Sequence, residues 1–124
     1  MEELNLVTSK IIGAAIEVHR ELGPGLLESA YLACLAYELQ TRQMRVEQQI
    51  SVPVVYKGIK LNPGYRLDMV VENLVVAELK SVKSLDPILI ARTLTYLKLS
   101  GYHLALILNF NVRWLKDGIQ RVIL

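Results

Sequence analysis

Residues 65–80 read YRLDMVVENLVVAELK, and this stretch decides the fold of the chain. Its first part, residues 65–71, is typical of a strand. Its second part, residues 74–80, begins with an apolar run from Leu74 to Ala77, which indicates a strand buried on both faces. A very short polar connection separates the two parts. We therefore expect two adjacent strands near the middle of a sheet.

The register of this strand pair depends on the length of its connecting loop. With a three-residue loop at 72–74, Val71 pairs with Val75 and Asp68 lies directly opposite Glu78. Because side chains alternate between the two faces of a sheet, a loop one residue shorter or longer would place the two carboxylates on opposite faces. The three-residue loop therefore predicts two facing carboxylates.

Facing carboxylates destabilise a central strand unless another charge neutralises them. A divalent cation between Asp68 and Glu78 would do so, since Mg²⁺ binds one or two carboxylates, several waters and substrate phosphate. Lys80 is the diagonal neighbour on the same face and could hold an attacking water or stabilise charge on a phosphate. The alternative is a solvent-facing strand with ordinary Glu and Lys side chains, which fits the preceding apolar run less well.

The rest of the chain predicts helices on the faces of this sheet. Asp86-Pro87 is typical of the start of a helix, and Gly101 of its end. The order αα-βββ-α-ββ predicts an α/β (α+β) fold with a central mixed sheet flanked by helices. The expected helices span about 6–22, 26–42 and 87–100, and the other expected strands lie within 44–56, 102–110 and 119–124, with a hairpin turn at Asp117-Gly118.

A carboxylate also lies within the apolar stripe of the second expected helix. At about 100° per residue, Glu28 falls on the same side as Tyr31, Leu32, Leu35 and Leu39. The simpler interpretation is a first-turn glutamate that interacts with the helix dipole. That interpretation explains the place of Glu28 along the helix but not the face on which it lies.

Length and composition limit the class of protein. The 124 residues fit one domain, 1–124, with a single core. An apolar fraction of 52% argues against disorder and is compatible with a homodimer. The net charge of +2 is too small to indicate nucleic-acid binding by itself. The one cysteine, Cys34, is expected to be a buried structural thiol, and the alternative of a nucleophile has no evident partner.

The amino-terminal residues do not resemble a targeting segment. Glu2 and Glu3 stand where a signal peptide would carry basic residues. No apolar run approaches the roughly 18 residues that a membrane span needs. We therefore expect a cytoplasmic protein without membrane partners.

Several short motifs follow one another along the chain in a specific order. They are Gly25-Leu-Leu-Glu28-Ser-Ala-Tyr31 after a His19…Leu22-Gly23-Pro24 lead-in, Tyr65-Arg-Leu-Asp68, Val76-Ala-Glu78-Leu-Lys80, Thr95-Tyr96-Leu97-Lys98, Asn109-Phe110 and Leu115-Lys-Asp-Gly118-Ile. In this combination, over nearly the whole chain, the sequence resembles the GxxExxY family, a branch of the PD-(D/E)XK nuclease superfamily.

The resemblance implies a fold, a metal and a set of residue roles. The fold is the restriction-endonuclease-like αβββαβ core, and the metal is Mg²⁺ or Mn²⁺. Family members usually carry Gln where this chain has Arg92, one turn before Tyr96. Arg cannot accept a hydrogen bond, but it could grip a phosphate or pair with a carboxylate and displace the metal. The implied catalytic residues are Lys80, Glu78, Asp68 and Glu28, the metal ligands Asp68, Glu78 and Glu28, and the candidate substrate contacts Arg92, Tyr96 and Tyr31.

These observations lead to one main hypothesis and two alternatives. The main hypothesis is a metal-dependent nuclease acting on DNA or RNA, with DNA ahead of RNA. The alternatives are a nuclease-fold binding module that does not cleave, and a homodimeric interaction protein whose charged cluster is a buried network. Weaker candidates for phosphate contacts, base stacking or polar anchoring, each also compatible with a packing or surface role, are His19, Arg66, Lys83, Lys98, Tyr102, His103 and Trp114.

Overall fold

Three α-helices and seven β-strands make up the computed structural model, which describes residues 1–124. The helices are α1 (Glu2–Leu22), α2 (Glu28–Thr41) and α3 (Pro87–Ser100). The strands are β1 (Val46–Ser51), β2 (Val54–Tyr56), β3 (Ile59–Leu61), β4 (Arg66–Val71), β5 (Val75–Lys80), β6 (Leu104–Asn109) and β7 (Ile119–Ile123). A short 3-10 helix, Leu115–Gly118, precedes β7.

The central sheet has five strands in the order β1-β4-β5-β6-β7. Strands β5 and β6 run parallel and are joined through α3, whereas the other neighbours are antiparallel. A parallel pair needs a crossover connection of this kind, which places the helix on a face of the sheet. The mixed sheet flanked by helices confirms the predicted fold class.

Both faces of the sheet are covered. The larger core lies between the sheet and α1 and α2, and it includes the fully buried Tyr31, Leu35 and Phe110. The smaller core lies under α3, where Leu97 packs with Val76 and other sheet residues. Strand β5 is therefore apolar on both faces for the expected reason: it contributes to both cores.

The predicted register of β4 and β5 is confirmed. Val71 pairs with Val75, Val70 with Val76 and Met69 with Ala77. The loop is a tight turn in which Glu72 and Asn73 have φ values of 55° and 54°. Successive positive φ values match the right-handed twist of the two strands, which is why such turns suit hairpins.

The predicted ends of α3 are also confirmed. The Asp86 side chain accepts a hydrogen bond from the Ile88 amide at 2.9 Å, and Pro87 occupies the first turn. Gly101 ends the helix in the left-handed conformation, with φ 86°. The helix is thus defined at both ends by local chemistry.

Four details differ from the sequence prediction. Helix α1 begins at Glu2 rather than near residue 6, and its first-turn carboxylates interact favourably with the helix dipole. Strands β2 and β3 form a separate hairpin, in which β2 lies within the expected strand region 44–56 but β3 was not expected. The 3-10 helix replaces the predicted turn at Asp117-Gly118. Cys34 packs against the larger core but is only half-buried.

No helix in the structure combines the length and the hydrophobicity needed to cross a membrane.

Candidate functional site

Asp68 and Glu78 lie next to each other at one end of the β4–β5 pair. The observed register, carried one step beyond Met69 and Ala77, sets the two residues opposite each other. The Asp68 carboxylate also accepts a hydrogen bond from the Leu79 amide at 2.9 Å. This contact ties one carboxylate to the strand that carries the other, so the relative position of the pair is set by backbone geometry.

The environment of Glu78 disfavours its charged form. The residue is only 5% exposed, and its Oε1 is buried without a hydrogen-bond partner. Burial, followed by the charge of Asp68 and a hydrogen bond with it, raises the pKa of Glu78 to about 9. That hydrogen bond is available only when one of the two carboxyls is protonated. In the absence of another cation, Glu78 is therefore held neutral near pH 7.

Lys80 supplies a positive charge on the same face of β5. Its charge lowers the pKa of Glu78, but less than burial and Asp68 raise it. Its side chain is half-buried, and it forms none of the ion pairs of the structure. Its backbone carbonyl accepts from the Phe110 amide at 2.9 Å, which anchors the end of the strand. Lys80 thus keeps a free ammonium group beside two crowded carboxylates.

The pair has the properties of a partial metal site. Carboxylate oxygens are the ligands that Mg²⁺ prefers, and one or two of them suffice when waters and substrate phosphate complete the shell. The unpartnered Oε1 of Glu78 is an oxygen that a cation would satisfy. No group of three His, Cys, Asp or Glu side chains is close enough together to bind a metal. The residues present therefore fit a two-carboxylate site for Mg²⁺ or Mn²⁺.

Glu28 does not join this pair. It is the first residue of α2, its side chain is exposed, and it accepts a hydrogen bond from the Ser81 amide at 3.2 Å. Glu28 shares a helix face with Tyr31, Leu35 and Leu39, as the spacing predicted, but it is exposed, because the buried part of that face starts at Tyr31. Glu28 and Ser81 instead line a cavity of about 610 Å³ together with Asn111.

Tyr31 holds the loop before α2 in place. Its hydroxyl donates to the Gly23 carbonyl and accepts from the Leu26 amide at 3.1 Å. Its ring is stacked on Phe110 with centroids 4.4 Å apart. The expectation that Tyr31 contacts substrate is not supported, because the residue is fully buried and both of its polar contacts are internal.

Arg92 and Tyr96 lie together on α3. The Arg92 guanidinium is exposed and lies 5.8 Å from the centroid of the Tyr96 ring. Tyr96 in turn contacts Tyr65 at a centroid distance of 5.7 Å. Arg92 forms no ion pair with Glu78 or with Glu28. The alternative in which Arg92 neutralises the carboxylates is therefore not supported.

Comparison with protein families places this geometry in context. The family model described as the PD-(D/E)XK nuclease superfamily matches residues 5–122. The chain belongs to the PD-(D/E)XK nuclease superfamily. Membership indicates a nuclease-type function. Neither the curated proteins nor the solved structures contain a match.

Asn109, the β6 neighbour of Lys80, has a structural role that the sequence did not reveal. It is 2% exposed, and its amide both accepts from the Val82 backbone at 3.1 Å and donates back to it at 3.0 Å. Its Oδ1 also accepts from the Asn111 amide at 3.2 Å. These bonds hold together the loops that follow β5 and β6. One feature of the sequence could have revealed this role: Asn109 is an amide at the end of an apolar strand, and a buried polar group there needs hydrogen-bond partners.

Of the weaker candidates, His19 and Tyr102 have structural contacts. His19 is 8% exposed and its Nε2 is 2.8 Å from the Val112 carbonyl oxygen, as expected for a polar anchor rather than a metal ligand. The Tyr102 hydroxyl donates to Asn73 at 3.0 Å. Both residues stabilise loops.

Proposed function

We propose that this protein is a metal-dependent nuclease of the GxxExxY branch that hydrolyses phosphodiester bonds of DNA or RNA, with DNA the leading substrate. The observation that carries the proposal is the Asp68–Glu78 pair, in which Asp68 is half-buried and Glu78 is buried with an unpartnered oxygen and a strongly raised pKa. Such a pair is unfavourable for stability alone. It becomes favourable when a cation binds between the carboxylates.

The proposed metal ligands are Asp68 and Glu78, with Glu28 as an accessory carboxylate that can approach through a water or the substrate. The chemistry supplied by Mg²⁺ or Mn²⁺ is Lewis-acid polarisation of the phosphate and a lowered pKa of water. The Leu79 amide keeps Asp68 oriented toward the site through its 2.9 Å hydrogen bond. The protein thus contributes a pre-positioned pair of ligands.

Lys80 is proposed to act on the reacting phosphate or on the attacking water. Its ammonium group has no carboxylate within ion-pair distance, so it is free to donate hydrogen bonds to either. A fixed cation stabilises charge that develops on phosphate oxygens in the transition state. Arg92 and Tyr96 are proposed to contact the nucleic-acid backbone from α3, because Arg92 is exposed and not engaged by any carboxylate.

The assignment to the GxxExxY branch is supported by the conformation or contacts of each of the three motif residues, Gly25, Glu28 and Tyr31. Gly25 has φ +95°, a conformation that side chains disfavour, in the loop before α2. Glu28 begins the helix and contacts the end of the β5 segment through Ser81. Tyr31 closes the loop by bonding to Gly23 and Leu26. The spacing therefore corresponds to one compact turn that presents Glu28.

The same pair argues against a purely structural role for the charged cluster. A buried network contributes to stability only when its polar groups are satisfied. Glu78 leaves one oxygen buried and unpartnered. The homodimer and the cytoplasmic location expected from the sequence stay predictions.

The proposal is tested by calorimetric titration of the metal-free protein with Mn²⁺. The variant Asp68→Asn removes one charge but keeps an oxygen that can accept from the Leu79 amide, so the fold should be retained. The matched control is Glu21→Gln, an exposed carboxylate on α1. We expect binding in the wild type and in the control and at least a ten-fold loss of affinity in Asp68→Asn.

Cleavage assays on single- and double-stranded DNA and RNA complete the test. We expect Mn²⁺-dependent cleavage by the wild type and none by Asp68→Asn. Metal binding without cleavage of any substrate would favour the binding module. If Mn²⁺ binding were absent from the wild type even with an oligonucleotide present, the nuclease proposal would be abandoned.

A further inference from the structure

A second, larger cavity lies at the carboxyl end of α1, outside the Asp68–Glu78 pair. Its volume is about 660 Å³. Its walls come from the last two turns of α1, the Gly23-Pro24 loop and residues 113–116, which lead into the 3-10 helix. The residues that matter for its chemistry are Arg20, Arg113, Trp114 and Lys116.

Trp114 presents an aromatic surface in this cavity. It is the only tryptophan of the chain, and it is 58% exposed. The Arg113 guanidinium lies 5.2 Å from its ring centroid. An indole with a stacked guanidinium is a favourable platform for another flat, π-rich group.

The loop that carries Trp114 is held in place by its neighbours. The His19 imidazole binds the Val112 carbonyl at 2.8 Å, and Leu115 is buried in the larger core. Gly118 packs so closely on Asn109 that a Cβ there would lie 2.1 Å from the Asn109 carbonyl oxygen. The indole is therefore exposed on an anchored segment, with little ordering needed when a ligand binds.

The charge of the cavity is positive. Arg20, Arg113 and Lys116 line it, and no Asp or Glu does. Arg20 pairs with Glu17 at 3.1 Å, but its side chain is 70% exposed and remains accessible. Three cations around an exposed indole fit a ligand that combines an aromatic ring with phosphate.

The cavity is next to the proposed catalytic region. Its wall at Pro24 continues directly into Gly25, which lines the cavity that contains Glu28 and Ser81. Ser81 is three residues from Glu78, so their Cα atoms are at most about 10 Å apart. A chain of a few nucleotides could therefore contact both places.

We propose that this cavity binds one unpaired nucleotide of a single-stranded nucleic acid, with its base stacked on Trp114 and its flanking phosphates held by Arg113, Lys116 and Arg20. The proposal rests on the proposed function, because it names the form of nucleic acid that the catalytic pair receives. Duplex bases are already stacked on each other, whereas a single strand offers free base faces. Trp114 therefore selects single-stranded segments.

Tryptophan fluorescence tests this directly, because all of it comes from Trp114. The full-length protein in EDTA, where cleavage cannot occur, is titrated with a short oligothymidylate and with a duplex of equal length. We expect strong quenching by the single strand and at least ten-fold weaker binding of the duplex. Equal quenching by both, or none by either, would overturn the proposal.

Variants separate base stacking from general charge attraction. With a labelled oligothymidylate followed by anisotropy, Trp114→Ala should weaken binding about ten-fold, and Trp114→Phe should retain most of it. Tyr37→Ala, which removes an exposed aromatic side chain on α2, is the matched control and should bind normally. Lys116→Ala should weaken binding and reduce its salt dependence, whereas Lys10→Ala on α1 should not. Unchanged affinity in Trp114→Ala would refute the stacking role.

Failure of this inference can be distinguished from failure of the nuclease proposal. Asp68→Asn should retain fluorescence quenching, because it alters only the carboxylate pair. Cleavage without quenching would leave the nuclease proposal standing and remove the Trp114 site. Quenching without cleavage by the wild type would support the Trp114 site and remove the nuclease proposal.

Discussion

Glu78 lies opposite Asp68 across the β4–β5 pair, buried and with one oxygen unpartnered. Two carboxyl groups this close together cannot both be ionised without a cost in free energy. Their arrangement follows from the three-residue turn that connects the strands, because a loop one residue shorter or longer would separate them onto different faces. The backbone thus holds the two carboxyl groups together at a cost in free energy, and a bound cation would remove that cost.

Replacing Glu78 with Gln should stabilise the metal-free protein while abolishing cleavage. Near pH 8 the wild type must protonate Glu78 when it folds, at a cost in free energy. The amide introduced by Glu78→Gln is neutral without a proton and can donate a hydrogen bond to Asp68. We expect the free energy of unfolding to increase by about 1–3 kcal/mol near pH 8. Urea unfolding in EDTA measures it, with Glu21→Gln as the exposed control. A lower stability of Glu78→Gln would indicate a structural network instead.

The stability of the metal-free wild type should decrease as the pH rises. The folded pKa of Glu78 is about 9 against an ordinary value of 4.5, so the folded chain holds a proton that the unfolded chain releases between these values. This contribution to stability is fully present below about pH 4.5 and is lost as the pH rises through 9, with a limiting slope of about 1.4 kcal/mol per pH unit. Urea unfolding at several pH values should give a flatter profile for Glu78→Gln. Parallel profiles would contradict the assignment.

Removing the Tyr31 hydroxyl should destabilise the loop that presents Glu28. In Tyr31→Phe the ring still stacks on Phe110, but the Gly23 carbonyl and the Leu26 amide lose their partner. We expect a loss of about 1–3 kcal/mol, measured by urea unfolding. Tyr37→Phe, at an exposed position on α2, should change stability by less than about 0.5 kcal/mol. Equal effects of the two variants would show that the Tyr31 hydrogen bonds contribute nothing.

Adding a methyl group at Gly118 should separate the 3-10 helix from β6. The new Cβ would lie 2.1 Å from the Asn109 carbonyl oxygen, a backbone atom that cannot move aside alone. Thermal unfolding should show a loss of about 1–3 kcal/mol or more for Gly118→Ala. The control is Gly13→Ala within α1, whose Cβ would meet Arg42 at an ordinary 3.5 Å. That variant should gain about 0.5–1 kcal/mol from helix propensity.

Much of the central sheet could be predicted from the sequence because its determinants are local. The unbroken apolar run of β5 indicates burial on both faces, and the short turn at Glu72-Asn73 determines the register of Asp68 and Glu78. The ends of α3 follow from Asp86 and Gly101 in the same way. In each case the deciding interaction joins residues that are close along the chain.

Only the tertiary structure decided how exposed each site residue is. Glu28 was expected on a buried stripe, but its contact is with Ser81, 53 residues away. Tyr31 was expected to contact substrate, but in the folded chain it is fully buried and stacked on Phe110. Periodicity reports which side of an element a residue occupies. The depth of burial and the partner depend on distant segments that meet only in the folded chain, and these determine whether a carboxylate or an indole is available for chemistry.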